Sequence, residues 1–296
     1  MATDILTSRS VVRDYIALAK PRIVVLLAFT ALGGMFLASG GAPDPMLTLV
    51  VLVGGSMAAG GANALNHILD RDIDERMART RNRPMVRGAV GVGAAVWFGI
   101  ALNAIAFAML TVFANSLSAV LTLSATLFYV FVYTKSLKRT TTQNIVIGGA
   151  AGAIPPVVAW AAVTGGIGMP AVVMFAIVFL WTPPHFWALA LLLKDDYADA
   201  GVPMLPVVAG VEATKVSILR YSWVLVASTL LLPATGAAGL VYLVGAAILG
   251  LVFVYYAHRL MRLPDLQGAK AAYLYSLAYL GLLFLLIIVD SMAPGL

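Results

Sequence analysis

Asn66, Asp70 and Asp74 stand at i, i+4 and i+8, emerging from an apolar run. On a helix each four-residue step turns about 400°, so the three oxygen-bearing side chains share one face with only a slow drift. Asn63 joins that face from one turn below. No basic residue is interleaved on the stripe, so its carboxylates would repel one another and suffer desolvation near a membrane unless a divalent cation neutralises them. Mg²⁺ suits the set, because it takes oxygen ligands, keeps several waters and bridges one or two carboxylates to a substrate phosphate. The spacing predicts a phosphate-bearing ligand. Asp72, Glu75, Arg71 and Arg76 fall on other faces and read as a solvated helix end with intrahelical ion pairs. With no cysteine in the chain, disulfides, thiolate-held metals and iron–sulfur clusters are excluded.

Further groups flank the stripe. Arg79 and Arg83 follow it, and Pro84 predicts that the helix has ended by about Asn82, leaving them on a loop folded over the site. Lys135, Lys138 and Arg139 form a second basic group; all five cations serve equally as anion ligands or as determinants of membrane orientation. A second acidic cluster, Asp195, Asp196 and Asp199, follows Lys194, and its alternative reading is a solvated helix end. His185 lies nine residues before Lys194, hence about 13 Å deeper on a straight helix, just after Pro183-Pro184, which should kink the chain. An imidazole at that depth faces a cavity or sits hydrogen-bonded in the core. The Gly148-Gly149, Gly152 and Pro155-Pro156 run predicts a thin, bendable helix that lets a neighbouring helix or a flat ligand approach. Asn144 either reaches an anion or caps that helix.

The elements that must position these residues are membrane helices. Of 296 residues 61% are hydrophobic and 11% charged, against about 25% charged in soluble proteins. A mean hydropathy of +0.96, with 27 Gly and 14 Pro, excludes a soluble globule. Apolar runs place nine spans near 22–40, 46–64, 89–113, 117–133, 144–163, 169–192, 216–233, 239–257 and 271–289. All 19 Lys and Arg then fall at one end of the bundle, and the other end carries only Asp44 and Asp290. A net charge of +6 thus reflects topology and not nucleic-acid binding. The positive-inside rule puts the N-terminus and the active-site loops in the cytoplasm and the C-terminus in the periplasm. The segment 1–20, with Asp4 and Asp14 before Lys20-Pro21-Arg22, resembles neither a transit peptide nor a cleavable signal. The expectation is a single domain, 1–296, in a bacterial inner membrane, with 1–20 as a cytoplasmic segment.

The NxxxDxxxD pattern at 66–74, followed by Arg-rich sequence ending in Arg83-Pro84, resembles the first aspartate motif of the UbiA superfamily of intramembrane prenyltransferases. Within that superfamily the stretches 66–84, 133–140, 144–156 and 182–206 resemble the haem O synthase branch, and the likeness runs from about Lys20 to the last helix. It implies an all-α fold, nine transmembrane helices in a UbiA-type bundle with a central cavity open toward the cytoplasmic side. The implied reaction is Mg²⁺-dependent transfer of a farnesyl group from farnesyl diphosphate to a vinyl group of protohaem IX (haem B), through an allylic carbocation. By the same likeness Asn66, Asp70 and Asp74 hold metal, with Asp196 and then Asp195 as further ligands, since a second acidic motif of the superfamily binds another Mg²⁺. Lys194 partners phosphate or carboxylate. Arg79, Arg83, Lys135, Lys138, Arg139 and Asn144 are candidates for diphosphate or haem propionates. His185, Trp187 and Tyr197 are candidates for haem, and Phe128, Tyr129, Tyr133 and Phe186 for the isoprenoid tunnel. The lipid bilayer, and haem A synthase or oxidase-assembly proteins, are the implied partners. Two rivals share some features. A prenyltransferase acting on a quinone- or chlorophyll-pathway acceptor would need the 66–74 stripe but not His185 in its setting. A secondary transporter would place its coupling acids near the midplane, whereas these gather at one face.

Overall fold

The computed structural model describes the backbone of residues 2–293 and the side chains of residues 11–293, so the Asp4 side chain lies outside the described residues. Helices account for every regular element among them. In chain order these are α1 (Ala2–Ala19), α2 (Pro21–Ser39), α3 (Pro45–Leu69), α4 (Arg71–Arg76), α5 (Val92–Phe113) and α6 (Ser116–Leu127). A π-helical segment, Phe128–Leu137, extends α6 into α7 (Lys138–Thr140). There follow α8 (Asn144–Gly152), α9 (Pro155–Thr164), α10 (Met169–Leu192), α11 (Lys194–Asp199), α12 (Leu205–Val208), α13 (Gly210–Thr229), α14 (Leu240–Arg262) and α15 (Ala269–Ser291). Nine helical stretches among the described residues have the length and apolarity to cross a membrane, with α6 to α7 forming one and α8 to α9 another. The protein is a multi-pass, all-α membrane protein.

The end without Lys or Arg uses its acids as caps. Asp44 accepts from the Leu47 amide (2.7 Å) at the start of α3, with Pro45 at the first helical position. Asp290 accepts from the Gly239 and Tyr242 amides (2.6 and 2.9 Å), so the far end of α15 caps the start of α14. Both acids of that end are therefore spent on orphan helix amides. In the middle, α10 packs against α8, α13 and α15, and its apolar residues Met174, Ile177 and Trp181 form one core with Tyr279, Leu283 and Phe284 of α15.

The structure refines three expectations. The second span runs to Leu69, five residues past its apolar limit, because Asn63, Asn66 and His67 are buried and the helical bonds continue through them. Helix α10 runs unbroken from Met169 to Leu192 through Pro183-Pro184, whereas the fifth span breaks between Gly152 and Pro155. Finally, of the expected approaches to the α8 glycines, Gly148 and Gly149 receive side chains of neighbouring helices, while Gly152 faces open space. A Cβ at Gly148 would collide with the Tyr133 ring, and one at Gly149 would press on Thr182. These contacts draw the π-helical segment and α10 onto α8.

Candidate functional site

The site starts where α3 ends. Asp70 is the junction residue (φ −93°, ψ 4°), yet its amide bonds Asn66 O (2.9 Å) and the Asp74 amide bonds Asp70 O (2.8 Å). The helical ladder thus crosses the junction, and Asn66, Asp70 and Asp74 stay on one side, 2%, 1% and 2% exposed. Helix α4 stops at Arg76, six residues before the limit inferred from Pro84, because Met77 turns extended and buries against Ile73 and Tyr197. Successive turns over 77–90 then bring Arg83 back onto Asp74, where its Nη1 donates to both carboxylate oxygens (2.7 and 2.6 Å).

The stripe carries no basic residue of its own, and its partners arrive from other elements. Lys20 Nζ donates to Asn66 Oδ1 (2.6 Å) and Lys138 Nζ to Asp70 Oδ2 (2.6 Å). Asn66 is held at both ends of its amide, since its Nδ2 also donates to Asp70 Oδ2 (2.8 Å) and to Thr134 Oγ1 (3.0 Å). Thr134 in turn donates to Tyr129 O (2.8 Å), five residues back, the spacing of the π-helix that carries it. Two buried carboxylates thus each meet a cation, with Lys20 on the Asn66 side-chain amide.

Lys20 and Thr134 escaped the sequence reading. Lys20 adopts the left-handed conformation (φ 52°), and the turn it makes between α1 and α2 brings its ammonium to Asn66. Burial, with Arg83 adding repulsion, lowers that ammonium to about 7. The Lys20-Pro21 pair was the available signal. Asn63 is fixed separately, donating to Ala19 O (3.1 Å) below the same turn.

Asp70 Oδ1, both nitrogens of His67 and Asn144 Oδ1 are buried without a hydrogen-bond partner among the described residues. Native interiors seldom leave such atoms unpaired, and here they mark where a ligand would complete the layer. Asn144 donates to Thr141 O (2.7 Å), holding the turn before α8 while its oxygen stays free.

Other candidates are placed differently. Arg139 donates to both Asp72 oxygens (2.7 Å each) and to Leu69 O (2.6 Å), clamping α7 onto the α3–α4 junction. The expected intrahelical pairing of Asp72 is corrected to this long-range pair, which holds its carboxyl at about 2, mainly through the Arg139 hydrogen bond. Lys135 is exposed, with no partner among the described residues. In α11, Tyr197 turns inward onto Ile73 and Met77, and Arg79 lies against its hydroxyl; burial raises that hydroxyl while Arg79 pulls the other way. Asp195, two residues earlier and about 200° round the helix, is exposed and borders a separate cavity of about 380 Å³ with Lys194, Glu212 and Asp265. Asp196 is half-buried on the flank between them. No group of three His, Asp or Glu side chains converges as a metal centre among the described residues. The structure thus brings Asn66, Asp70, Asp74, Arg83 and Lys138 together, sets Tyr197 beside them, and leaves Asp195 and Lys135 apart.

His185 and Trp187 lie deeper on α10. His185 stacks between Trp181 (4.3 Å) and Tyr273 (5.0 Å), and Trp187 meets Tyr221 edge-on at 5.1 Å with its Nε1 unpaired.

The model of the UbiA prenyltransferase family matches residues 27–287. The chain belongs to that family. Its UbiA relatives include the protoheme IX farnesyltransferase of Nostoc sp., 53% identical over 284 residues, which are 95% of this chain and 89% of that protein. The protoheme IX farnesyltransferase of Gloeobacter violaceus is 52% identical, covering 94% of this chain and 92% of its own length. The UbiA fold is shared with two solved structures. A digeranylgeranylglyceryl phosphate synthase has a TM-score of 0.78 at 20% identity, covering 96% of this chain and 99% of that one. A UbiA homologue from Archaeoglobus fulgidus bound to DMAPP and Mg²⁺ has a TM-score of 0.68 at 18% identity, covering 93% and 99%.

Proposed function

We propose that the protein transfers the farnesyl group of farnesyl diphosphate to a vinyl group of protohaem IX at the charged end of its bundle. The observation that carries this reading is the 53% identity, over nearly the whole chain, to a protein named for that activity. The buried layer around Asn66, Asp70 and Asp74 supplies suitable chemistry. Breaking the bond between farnesyl C1 and its phosphate oxygen leaves an allylic cation and diphosphate. The terminal vinyl carbon bonds to C1, water adds to the inner vinyl carbon, and the proton released leaves with diphosphate or solvent.

The donor set fits Mg²⁺: it is all oxygen, and Asp70 Oδ1 is buried with lone pairs to spare. Asn66, Asp70 and Asp74 would hold the ion, with water and diphosphate completing its shell, and when bound it would neutralise the leaving group. Asp196 is the candidate in the second acidic segment. Lys20, Lys138 and Arg83, now bonded to the stripe, exchange those partners for phosphate oxygens when diphosphate enters, and so hold the negative charge as it grows. Tyr129 and Tyr133, stacked at 5.5 Å on the π-helical segment, offer aromatic faces to a cation.

The charged end faces the cytoplasm of a bacterial inner membrane in this reading, with the whole chain acting as one domain and its product passing to haem A synthase or oxidase-assembly proteins. The test is product mass after incubating the purified protein with haem B, farnesyl diphosphate and Mg²⁺. A farnesylhydroxyethyl haem is expected. A farnesylated hydroxybenzoate with unmodified haem would overturn the acceptor.

A further inference from the structure

His185 has a neighbour on α15 that decides what its ring can do. Its Nδ1 lies 2.7 Å from Ser276 Oγ, and Ser276 Oγ donates to Tyr273 O at 2.6 Å. A serine hydroxyl has a single proton. If that proton pointed at His185, two oxygens would face each other at 2.6 Å with lone pairs opposed. Ser276 therefore meets the imidazole as an acceptor, and Nδ1 carries the ring proton.

The neutral ring so fixed has its lone pair on Nε2. That nitrogen has no hydrogen bond among the described residues, and His185 is 6% exposed against 2% for His67. The ring is also clamped in orientation. Trp181 stacks on it at 16° and Tyr273 at 27°, while Phe186 meets it edge-on at 5.1 Å. Trp181 is itself held by Ser276, through its Nε1 bond to the Ser276 carbonyl (2.7 Å). One serine thus fixes both the tautomer and the rotation of the imidazole.

Resting on the haem substrate proposed above, we infer that Ser276 is a positioning residue that holds His185 as the Nδ1–H tautomer and so presents Nε2 as an axial ligand to the haem iron. A ligating histidine characteristically donates its other N–H to an oxygen acceptor, which orients the ring and raises its basicity.

The full-length protein is titrated with haem B in lipid nanodiscs, without farnesyl diphosphate, and followed by absorption and electron paramagnetic resonance. Wild type is expected to give an imidazole-ligated spectrum that His185→Ala abolishes. Ser276→Ala should weaken haem binding about 10–100-fold and shift the spectrum away from imidazole ligation, and Ser276→Thr, which keeps the acceptor, should restore both. Nitrogen-15 NMR of the apoprotein reads the tautomer directly, since the chain has only 3 histidines. The His185 signal should be Nδ1–H in wild type and move toward Nε2–H in Ser276→Ala. An Nε2–H signal in wild type, or a haem spectrum indifferent to His185→Ala or to Ser276→Ala in a protein that still farnesylates haem, overturns this inference alone. Absence of any haem binding by wild type overturns it together with the proposed acceptor.

Discussion

Two acidic segments sit at the charged end of the bundle, and each pairs carboxylates four residues apart: Asp70 with Asp74, and Asp195 with Asp199. Their surroundings differ entirely. Asp70 and Asp74 are buried and each is gripped by a cation, Lys138 or Arg83. Asp195 and Asp199 are exposed and unpaired among the described residues, because the inward face of α11 belongs to Tyr197 and Ala200. Spacing selects a helix face. Whether that face becomes a site depends on which elements cover it and what charges they bring.

That contrast can be broken experimentally. The largest effect is expected from Asp70→Ala or Asp74→Ala, each reducing farnesyl transfer by about 10²–10³-fold or more in a product assay, on the scale of removing a main electrostatic stabiliser. Chelation with EDTA should produce a comparable loss in wild type, reversed by added Mg²⁺; full activity in EDTA would remove the metal from the first segment. Lys20→Met should raise the KM for farnesyl diphosphate about 10–100-fold, the worth of a hydrogen bond to a charged group, with haem affinity kept. Lys138→Ala should lower stability by about 3 kcal/mol, read by thermal unfolding in detergent, because it strands a buried carboxylate. Asp195→Asn should leave turnover within about twofold, in the range of a surface change, and a large loss there would make the two segments equals.

The smallest effect concerns Asp72. Its carboxyl is held at about 2 in the folded protein, below the ordinary 3.8. The stabilisation is therefore present above about pH 4 and lost as pH falls through about 2. With Asp72 57% and Arg139 35% exposed, screening keeps it under about 1 kcal/mol, and Asp72→Asn should flatten this limb of an acid-unfolding curve.

Hydropathy made the nine spans legible, because membrane length and apolarity are local properties. It missed the last turn of α3, where polar side chains are sheltered by neighbouring helices. The stripe itself was legible from a four-residue period. Its partners were not, since Lys20 comes from 46 residues before Asn66 and Lys138 from 68 after Asp70. The π register of 128–137 was also invisible, as it depends on Thr134 reaching Asn66 and on Tyr133 filling the space left by Gly148. The same holds for the second acidic segment, where only packing reveals that Tyr197 faces inward while Asp195 is exposed.

The wide separation of Asp70 from Lys138 bears on how the chain is made. Asp74 and Arg83 leave the ribosome almost together, nine residues apart. Asp70 waits 68 residues for its lysine, roughly 3–14 s at about 5–20 residues per second. Until the fourth span is inserted, Asp70 lacks the lysine it pairs with in the folded bundle, so its burial there awaits that span.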